Sequence, residues 1–336
     1  MTELPLRPSR RQFIASVGAI STLGIAGCSG ANSDAESTPT TTPTNTATQT
    51  TTETPSERSV ETLVSIPGDL VPENMAYGPN DALYFGITAG ELRRVSRDQL
   101  RSTDLSLSDT EQVATLPGAI GVETAPSGAA YVAVASQDEN AGVWSVATDG
   151  TTEQLVSISG FPNDILFDTD RDRMLVTESQ GGVVYSVTTD GTRSTWLDDD
   201  RLSTESFGAN GLTRTEDGTV YVAVTQAAGD VGRLLEVPVT SSGAAGEPSV
   251  FYEGAALLGA DGITARDSDI YVAANSQNRV VRVSPDGGTT TIADGENGLV
   301  FPSDVTFGTG QQSETLFICN FANQSPEDGA ILRTEL

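Results

Sequence analysis

Four side chains that carry oxygen ligands recur at equivalent places along the chain: Glu73, Asn163, Asn210 and Asp261. Each stands about ten to fourteen residues before the centre of a short β-rich run. Two carboxylates and two amide carbonyl oxygens suit a hard divalent cation, and Ca²⁺ is the best match. Asn and Asp also begin strands simply because they favour turns. Four such residues at equivalent positions, including a Glu that forms turns poorly, favour a metal site over that explanation.

The residues that the chain lacks exclude several chemistries. Its 336 residues include no His, and all 18 basic residues are Arg. A Ser-His-Asp or Cys-His relay, a lysine Schiff base and a typical His-containing zinc site are therefore impossible. The formal net charge of −28 would repel phosphate backbones, so we expect no nucleic-acid partner.

The same composition indicates a salty environment. Asp and Glu number 46, and the self-repulsion of so many carboxylates needs strong screening by salt. Abundant acid without lysine is typical of proteins from salt-in halophiles, with an ordinary acidic secreted protein as the alternative. We therefore expect a halophilic protein.

An internal repeat in residues 61–336 predicts an all-β, six-bladed β-propeller. Successive anchors, which include the pair Ile120-Gly121 and Ser303, are about 42 to 51 residues apart, the length of a four-stranded blade. Six β-rich runs follow the anchors, at 82–85, 130–133, 174–177, 220–223, 270–273 and 315–318. The first β-rich segment has no blade before it and the last has no successor, so we expect these N- and C-terminal strands to pair and close the ring. The four-strand period argues against an eight-stranded barrel.

The N-terminal part resembles a lipoprotein export signal. Ser9 to Ile14 resembles a twin-arginine motif, a short apolar stretch follows, and Cys28 ends a segment that looks like a lipobox. We predict a signal peptide over 1–27, a lipidated Cys28, and a Thr/Ser/Pro-rich disordered stalk over 28–60. The expected location is the extracellular face of the cell membrane, with the lipid anchor as the only membrane contact. Cys319, inside an apolar run, is expected to be a small buried side chain.

The anchor segments resemble the senescence-marker-protein/gluconolactonase/regucalcin family of six-bladed propellers, which hold one catalytic metal in the channel. The segments that carry the resemblance are Pro72-Glu73-Asn74-Met75, Pro162-Asn163-Asp164, Ala209-Asn210-Gly211-Leu212 and Ala260-Asp261-Gly262-Ile263. The resemblance implies that Glu73, Asn210 and Asp261 are metal ligands and that Asn163 contacts substrate. The chain is similar also to paraoxonases, but their catalytic His is absent here.

Two functions follow from these observations. The first is a metal-dependent hydrolase of a small lactone or ester, in which Asp261, or else Asp164 or Asp304, activates water. For Asp164 and Asp304 we favour solvated strand-start residues. The family often has Arg two residues before the Asn that Asn163 matches, whereas this chain has Phe161, which points to a less polar substrate or to none. The alternative is a non-catalytic surface propeller that binds a sugar, peptide or protein. In either case we expect a monomer.

Overall fold

The computed structural model describes residues 59–205, 207–323 and 325–336. The predicted signal peptide, the lipidation site Cys28 and nearly all of the predicted stalk lie outside these residues, so they stay predictions. Within the described ranges, no helix is both long enough and apolar enough to span a bilayer.

The described chain is built almost entirely from short strands. In chain order they are β1 (Glu61–Ser65), β2 (Pro72–Gly78), β3 (Ala82–Ile87), β4 (Glu91–Val95), β5 (Leu105–Ser106), β6 (Glu111–Thr115), β7 (Val122–Thr124), β8 (Ala130–Val134), β9 (Gly142–Val146), β10 (Thr152–Ser157), β11 (Pro162–Asp168), β12 (Arg173–Glu178), β13 (Val183–Thr188), β14 (Arg193–Asp198), β15 (Ala209–Arg214), β16 (Val220–Ala227), β17 (Val231–Val237), β18 (Ser249–Gly254), β19 (Ala260–Arg266), β20 (Asp269–Ala274), β21 (Arg279–Val283), β22 (Thr289–Ala293), β23 (Pro302–Phe307), β24 (Thr315–Asn320) and β25 (Ala330–Glu335). Short 3₁₀ turns lie at Gln99–Arg101, Leu107–Asp109, Asp200–Leu202, Ala255–Leu257, Asn275–Gln277, Gly295–Asn297, Gly310–Gln312 and Pro326–Asp328.

The strands form six sheets, which are the six predicted blades. Blades 1 to 5 are β2-β3-β4-β6, β7-β8-β9-β10, β11-β12-β13-β14, β15-β16-β17-β18 and β19-β20-β21-β22, each written from its innermost strand outwards. Blade 6 is β23-β24-β25-β1 with β5 added at its edge. The innermost strands contact one another in a closed cycle, β2 to β7, β11, β15, β19, β23 and back to β2. The prediction of an all-β, six-bladed propeller is confirmed.

The core is divided into six apolar clusters, one between each pair of neighbouring blades. Because successive residues of a strand point to opposite faces, a second strand covered on both faces reads as a continuous apolar run. In β16, Tyr221 and Ala223 pack towards blade 5 and Val220 and Val222 pack towards blade 3. The β-rich runs in the sequence are therefore the strands that both neighbouring blades cover.

Ring closure follows the prediction, with one addition. β1 pairs antiparallel with β25, so strands from both ends of the propeller share blade 6. β5, which the repeat did not predict, pairs parallel with β1 through Val64 and Leu105. It comes from the long connection between β4 and β6, and this connection covers an edge of blade 6 that would otherwise be open.

Candidate metal centre

The predicted anchors lie where the innermost strands begin, at a local irregularity of the sheet. In β2, β11, β15 and β19 the pairing with the second strand skips the second and third residues. The second residue is the anchor in each case: Glu73, Asn163, Asn210 and Asp261. A bulge of this kind frees a side chain from the regular alternation of the strand. The strand starts can therefore turn these four side chains towards the ring axis.

Hydrogen bonds fix the two Asn anchors with their amino groups turned outwards. Asn163 donates from Nδ2 to Ser179 Oγ at 3.0 Å, and Asn210 donates from Nδ2 to Thr225 Oγ1 at 2.9 Å. Asn163 and Asn210 are 4% and 6% exposed, and neither Oδ1 accepts a hydrogen bond from any described residue. Both amide carbonyl oxygens are thus left for another partner.

The negative charges of the channel carboxyls affect the pKa of Glu73. Burial raises the pKa of Glu73 well above its usual range, and the charges of Asp261, Asp304 and Asp164 raise it further. These residues belong to blades 1, 5, 6 and 3, and each is the second or third residue of an innermost strand, beside the central channel. Burial also raises the pKa of Asp261 to about 7, against the opposing effect of hydrogen bonds from Asn275 and Asn210.

Asp164 and Asp304 are buried links between blades, so the expectation that they are solvated strand-start residues is wrong. Asp164 Oδ2 accepts the backbone N–H of Leu212 in blade 4 at 2.6 Å. Asp304 Oδ2 accepts the backbone N–H of Met75 in blade 1 at 2.8 Å, across the closure of the ring. Burial raises the pKa of Asp164 to about 6, although these hydrogen bonds favour its ionised form. Both carboxylates are only 7% and 4% exposed.

The third residue of the innermost strand is the position that makes these links. Asn74 occupies it in blade 1, accepts the Val122 N–H on Oδ1 at 2.9 Å and donates to Asp164 Oδ1 at 3.2 Å. Glycine occupies the same position in blades 2, 4 and 5. A Cβ at Gly121 would lie 2.0 Å from a backbone oxygen of the next blade. The sequence signal for these links was therefore an Asn or Asp in three blades where the others have Gly.

The channel acids have no basic partner. Among the described residues none of Glu73, Asp164, Asp261 and Asp304 forms an ion pair, although 13 ion pairs occur elsewhere. The carboxylate of Glu73 also accepts no hydrogen bond from the described chain. Buried carboxyls without a counter-charge must be protonated or neutralised by a bound cation.

The donor set fits a hard cation by its chemistry. Glu73 and Asp261 supply carboxylate oxygens, and Asn163 and Asn210 supply amide oxygens without partners. Among the described residues, no group of three or more His, Cys, Asp or Glu is arranged to hold a metal. A site here would therefore need the amide oxygens and water as well as the carboxylates, as Ca²⁺ sites commonly do.

The remaining anchors do not add ligands of this type. Ile120 and Gly121 precede β7, and Ser303 donates from Oγ to the backbone oxygen of Glu73 at 2.6 Å. Cys319 is fully buried in the cluster between blades 6 and 1, as predicted.

Aromatic side chains lie beside the Asn anchors. Phe161 and Phe207 meet edge to face with ring centroids 5.1 Å apart. Phe161 is held by its backbone N–H, which donates to Glu178 Oε1 at 2.7 Å. The aromatic pair lies two and three residues ahead of Asn163 and Asn210, and the buried Glu178 carboxylate lies against Phe161.

One acidic residue between blades 2 and 3 escaped the sequence analysis. Glu123, in β7, accepts the N–H of Thr124 on Oε1 at 2.6 Å. Burial raises its pKa to about 7, although hydrogen bonds from Thr124 and the backbone of Phe167 oppose that shift. No repeat position marked it, because the other blades have Ala, Leu or Thr at the equivalent place.

Known structures share this fold. A gluconolactonase from Xanthomonas campestris aligns at 17% identity over 82% of this chain and 89% of its own, with a TM-score of 0.61. The calcium-binding protein regucalcin from Agrobacterium tumefaciens aligns at 16% identity over 83% and 93%, with a TM-score of 0.59. The chain shares their fold. No protein-family model and no curated protein sequence matches it.

The fold is compatible with other chemistry as well. An aldose sugar dehydrogenase from Streptomyces coelicolor, solved with bound PQQ, aligns at 14% identity over 84% of this chain and 99% of its own, with a TM-score of 0.60. The likeness to gluconolactonase and regucalcin therefore confirms the predicted architecture, and the function must be argued from the channel.

Proposed function

We propose that this chain is a divalent-cation-dependent hydrolase of a small lactone or ester. The observation that carries the proposal is the group of channel carboxyls without any basic partner, beside two amide oxygens without hydrogen bonds. A lactonase needs a positive centre beside a water-activating carboxylate. The gluconolactonase and the calcium-binding regucalcin among the structural neighbours support a metal in a channel of this fold.

Each anchor has a distinct role in this proposal. Glu73, Asn210 and Asp261 would hold the cation, for which we propose Ca²⁺, and Asn163 would contact the substrate through its amide oxygen. When bound, the cation would polarise the substrate carbonyl and stabilise the negative charge that develops on it.

Asp261 is the best candidate to take the proton from water. Among the described residues only side-chain amides bond its carboxylate, with Asn275 donating to Oδ2 at 2.8 Å. Asp164 is committed to backbone and amide donors on both oxygens. Asp304 accepts backbone N–H groups from Met75 and Val305. These two carboxylates are therefore poorer bases.

The substrate should be less polar than a sugar lactone. Phe161 stands where the resembling family often has Arg, and it pairs edge to face with Phe207 in the segments that lead into the Asn anchors. Aromatic rings there would favour an alkyl or aryl substituent on the lactone over a row of hydroxyls.

Hydrolysis of a lactone panel in molar KCl, with and without a chelator, tests the function. We expect hydrolysis of an alkyl lactone to be lost with EDTA and restored by Ca²⁺. Asp261→Asn should be inactive, whereas the matched control Asp230→Asn, at an exposed position in the turn between β16 and β17, should keep full activity. A parent protein that binds Ca²⁺ but hydrolyses nothing above the spontaneous rate would favour the non-catalytic binding propeller.

We further propose that the enzyme works as a monomer, tethered by a lipidated Cys28 and the stalk to the extracellular face of the membrane. The support is the order of twin-arginine motif, apolar stretch and lipobox in the sequence.

A further inference from the structure

Three of the four anchors are each held by a polar side chain at or just beyond the end of the second strand in the same blade. The pairs are Asn163 with Ser179, Asn210 with Thr225, and Asp261 with Asn275. In the first two pairs a hydroxyl oxygen accepts a hydrogen bond from the anchor's amide. In the third pair the roles are reversed, because the Asn275 amide donates to the anchor's carboxylate.

The amide of Asn275 has only one orientation that satisfies its neighbours. It is 6% exposed, and its Nδ2 donates to Asp261 Oδ2 at 2.8 Å. Its Oδ1 accepts the hydroxyl of Ser276 at 2.9 Å, and its backbone N–H donates to the Gly259 carbonyl at 2.9 Å. A flipped amide would set Oδ1 against the carboxylate, so the carboxylate decides the orientation, and the Ser276 hydroxyl then holds Oδ1.

Gly259 leaves room for this arrangement. A Cβ at that position would lie 2.3 Å from Asn275 Oδ1 and 2.4 Å from Ser276 Oγ, and its φ of +81° is one that other residues rarely adopt. The turn before β19 and the turn after β20 are therefore built around the Asn275 amide.

We propose that Asn275 is a positioning residue for the channel cation: held by Ser276, it fixes Asp261 through Oδ2 and so orients that carboxylate for the cation. This role rests on the proposed function, because it assumes that Asp261 is a ligand. A ligand held by a neighbour binds with less loss of side-chain freedom, and loss of such a neighbour typically weakens metal binding about 10- to 100-fold.

Calorimetric titration of Ca²⁺ in molar KCl tests this role without any assay of hydrolysis. Asn275→Leu keeps the size of the side chain and removes the donor, so we expect Ca²⁺ affinity to fall about 10- to 100-fold. Asn140→Leu is the matched control, because it removes an Asn that donates to the exposed carboxylate of Asp138 outside the channel. That control should bind Ca²⁺ like the parent.

A double-mutant comparison separates positioning from a general loss of structure. Ser276→Ala removes only the bond that holds the far end of the amide, so it should weaken Ca²⁺ binding on its own. It should have no further effect when Asn275 is already Leu, because Ser276 acts through that amide. This milder variant also keeps the test decisive if Asn275→Leu does not fold.

The outcomes separate the two claims. A parent that binds no Ca²⁺ would overturn the proposed metal site and this role with it. A parent that binds Ca²⁺, with Asn275→Leu binding as tightly or with Ser276→Ala unchanged, would overturn the positioning role alone. Equal effects of Ser276→Ala in the two backgrounds would also overturn it.

Discussion

Replacement of Glu123 by Gln should make the protein more stable at alkaline pH. Glu123 is partly buried between blades 2 and 3, and burial raises its pKa from 4.5 to about 7. A carboxyl whose pKa is raised by folding supports the fold fully below its unfolded pKa and loses that support as the pH rises through about 7. Ionised Glu123 therefore destabilises the folded protein at pH 8 to 9.

The size of the effect follows from the shift. A rise from 4.5 to about 7, at about 1.4 kcal/mol per pH unit, corresponds to about 3 kcal/mol between the acid and alkaline limits. Gln keeps an oxygen that can accept the Thr124 N–H and cannot ionise. The variant should thus gain up to about 3 kcal/mol over the parent at pH 8.5 and less than about 1 kcal/mol near pH 5.

Urea unfolding in molar KCl across pH 5 to 9, with a chelator present, measures this difference. The other channel acids contribute equally to both proteins, so the difference between their curves isolates Glu123. Glu153→Gln, an exposed position on the outer strand of the same blade, controls for the loss of one negative charge. A Glu123→Gln curve that runs parallel to the parent, or that matches the Glu153→Gln curve, would refute the reasoning.

Three more outcomes are expected. Asp304→Ala should lower the free energy of unfolding by about 1 to 3 kcal/mol, because it leaves the buried Met75 N–H without an acceptor. Asp304→Asn should lower it less, and an equal loss in both variants, measured by urea unfolding, would contradict the link between blades. The melting temperature should rise steadily from low to molar KCl, because the negative charges behind a net charge of −28 repel one another without screening. A constant melting temperature would contradict the halophilic interpretation. Cys28→Ser should release the protein from the membrane fraction, and full membrane retention would contradict lipidation.

Much of the architecture could be predicted because the repeat is local. In the sequence each blade is marked by an apolar run, such as the one around Tyr221, and by an anchor residue before that run. The run is the second strand of the blade, which is covered on both faces. The same regularity placed Glu73 and Asp261 at the starts of innermost strands. The short strand β5 could not be predicted, because it belongs to an irregular connection outside the repeat.

The hydrogen bonds that link neighbouring blades could not be predicted from the sequence, because they join residues far apart in the chain. The contact of Asp304 with Met75 spans 229 positions, and that of Asp164 with Leu212 spans 48. A strand-start Asp looks the same in the sequence whether it faces water or a neighbouring backbone. Glu123 was missed for a related reason, since its burial depends on the neighbouring blade.

Titration of Ca²⁺ into the parent, Asp261→Ala and Asn163→Ala tests the central claim most directly. The account predicts tight binding of one Ca²⁺ by the parent, because Glu73, Asn210 and Asp261 offer oxygens to one channel. Asp261→Ala removes a charge together with a ligand and should abolish tight binding, whereas Asn163→Ala should only weaken it. If Asp261→Ala binds Ca²⁺ as tightly as the parent, the anchors are turn residues and the proposed hydrolase is contradicted.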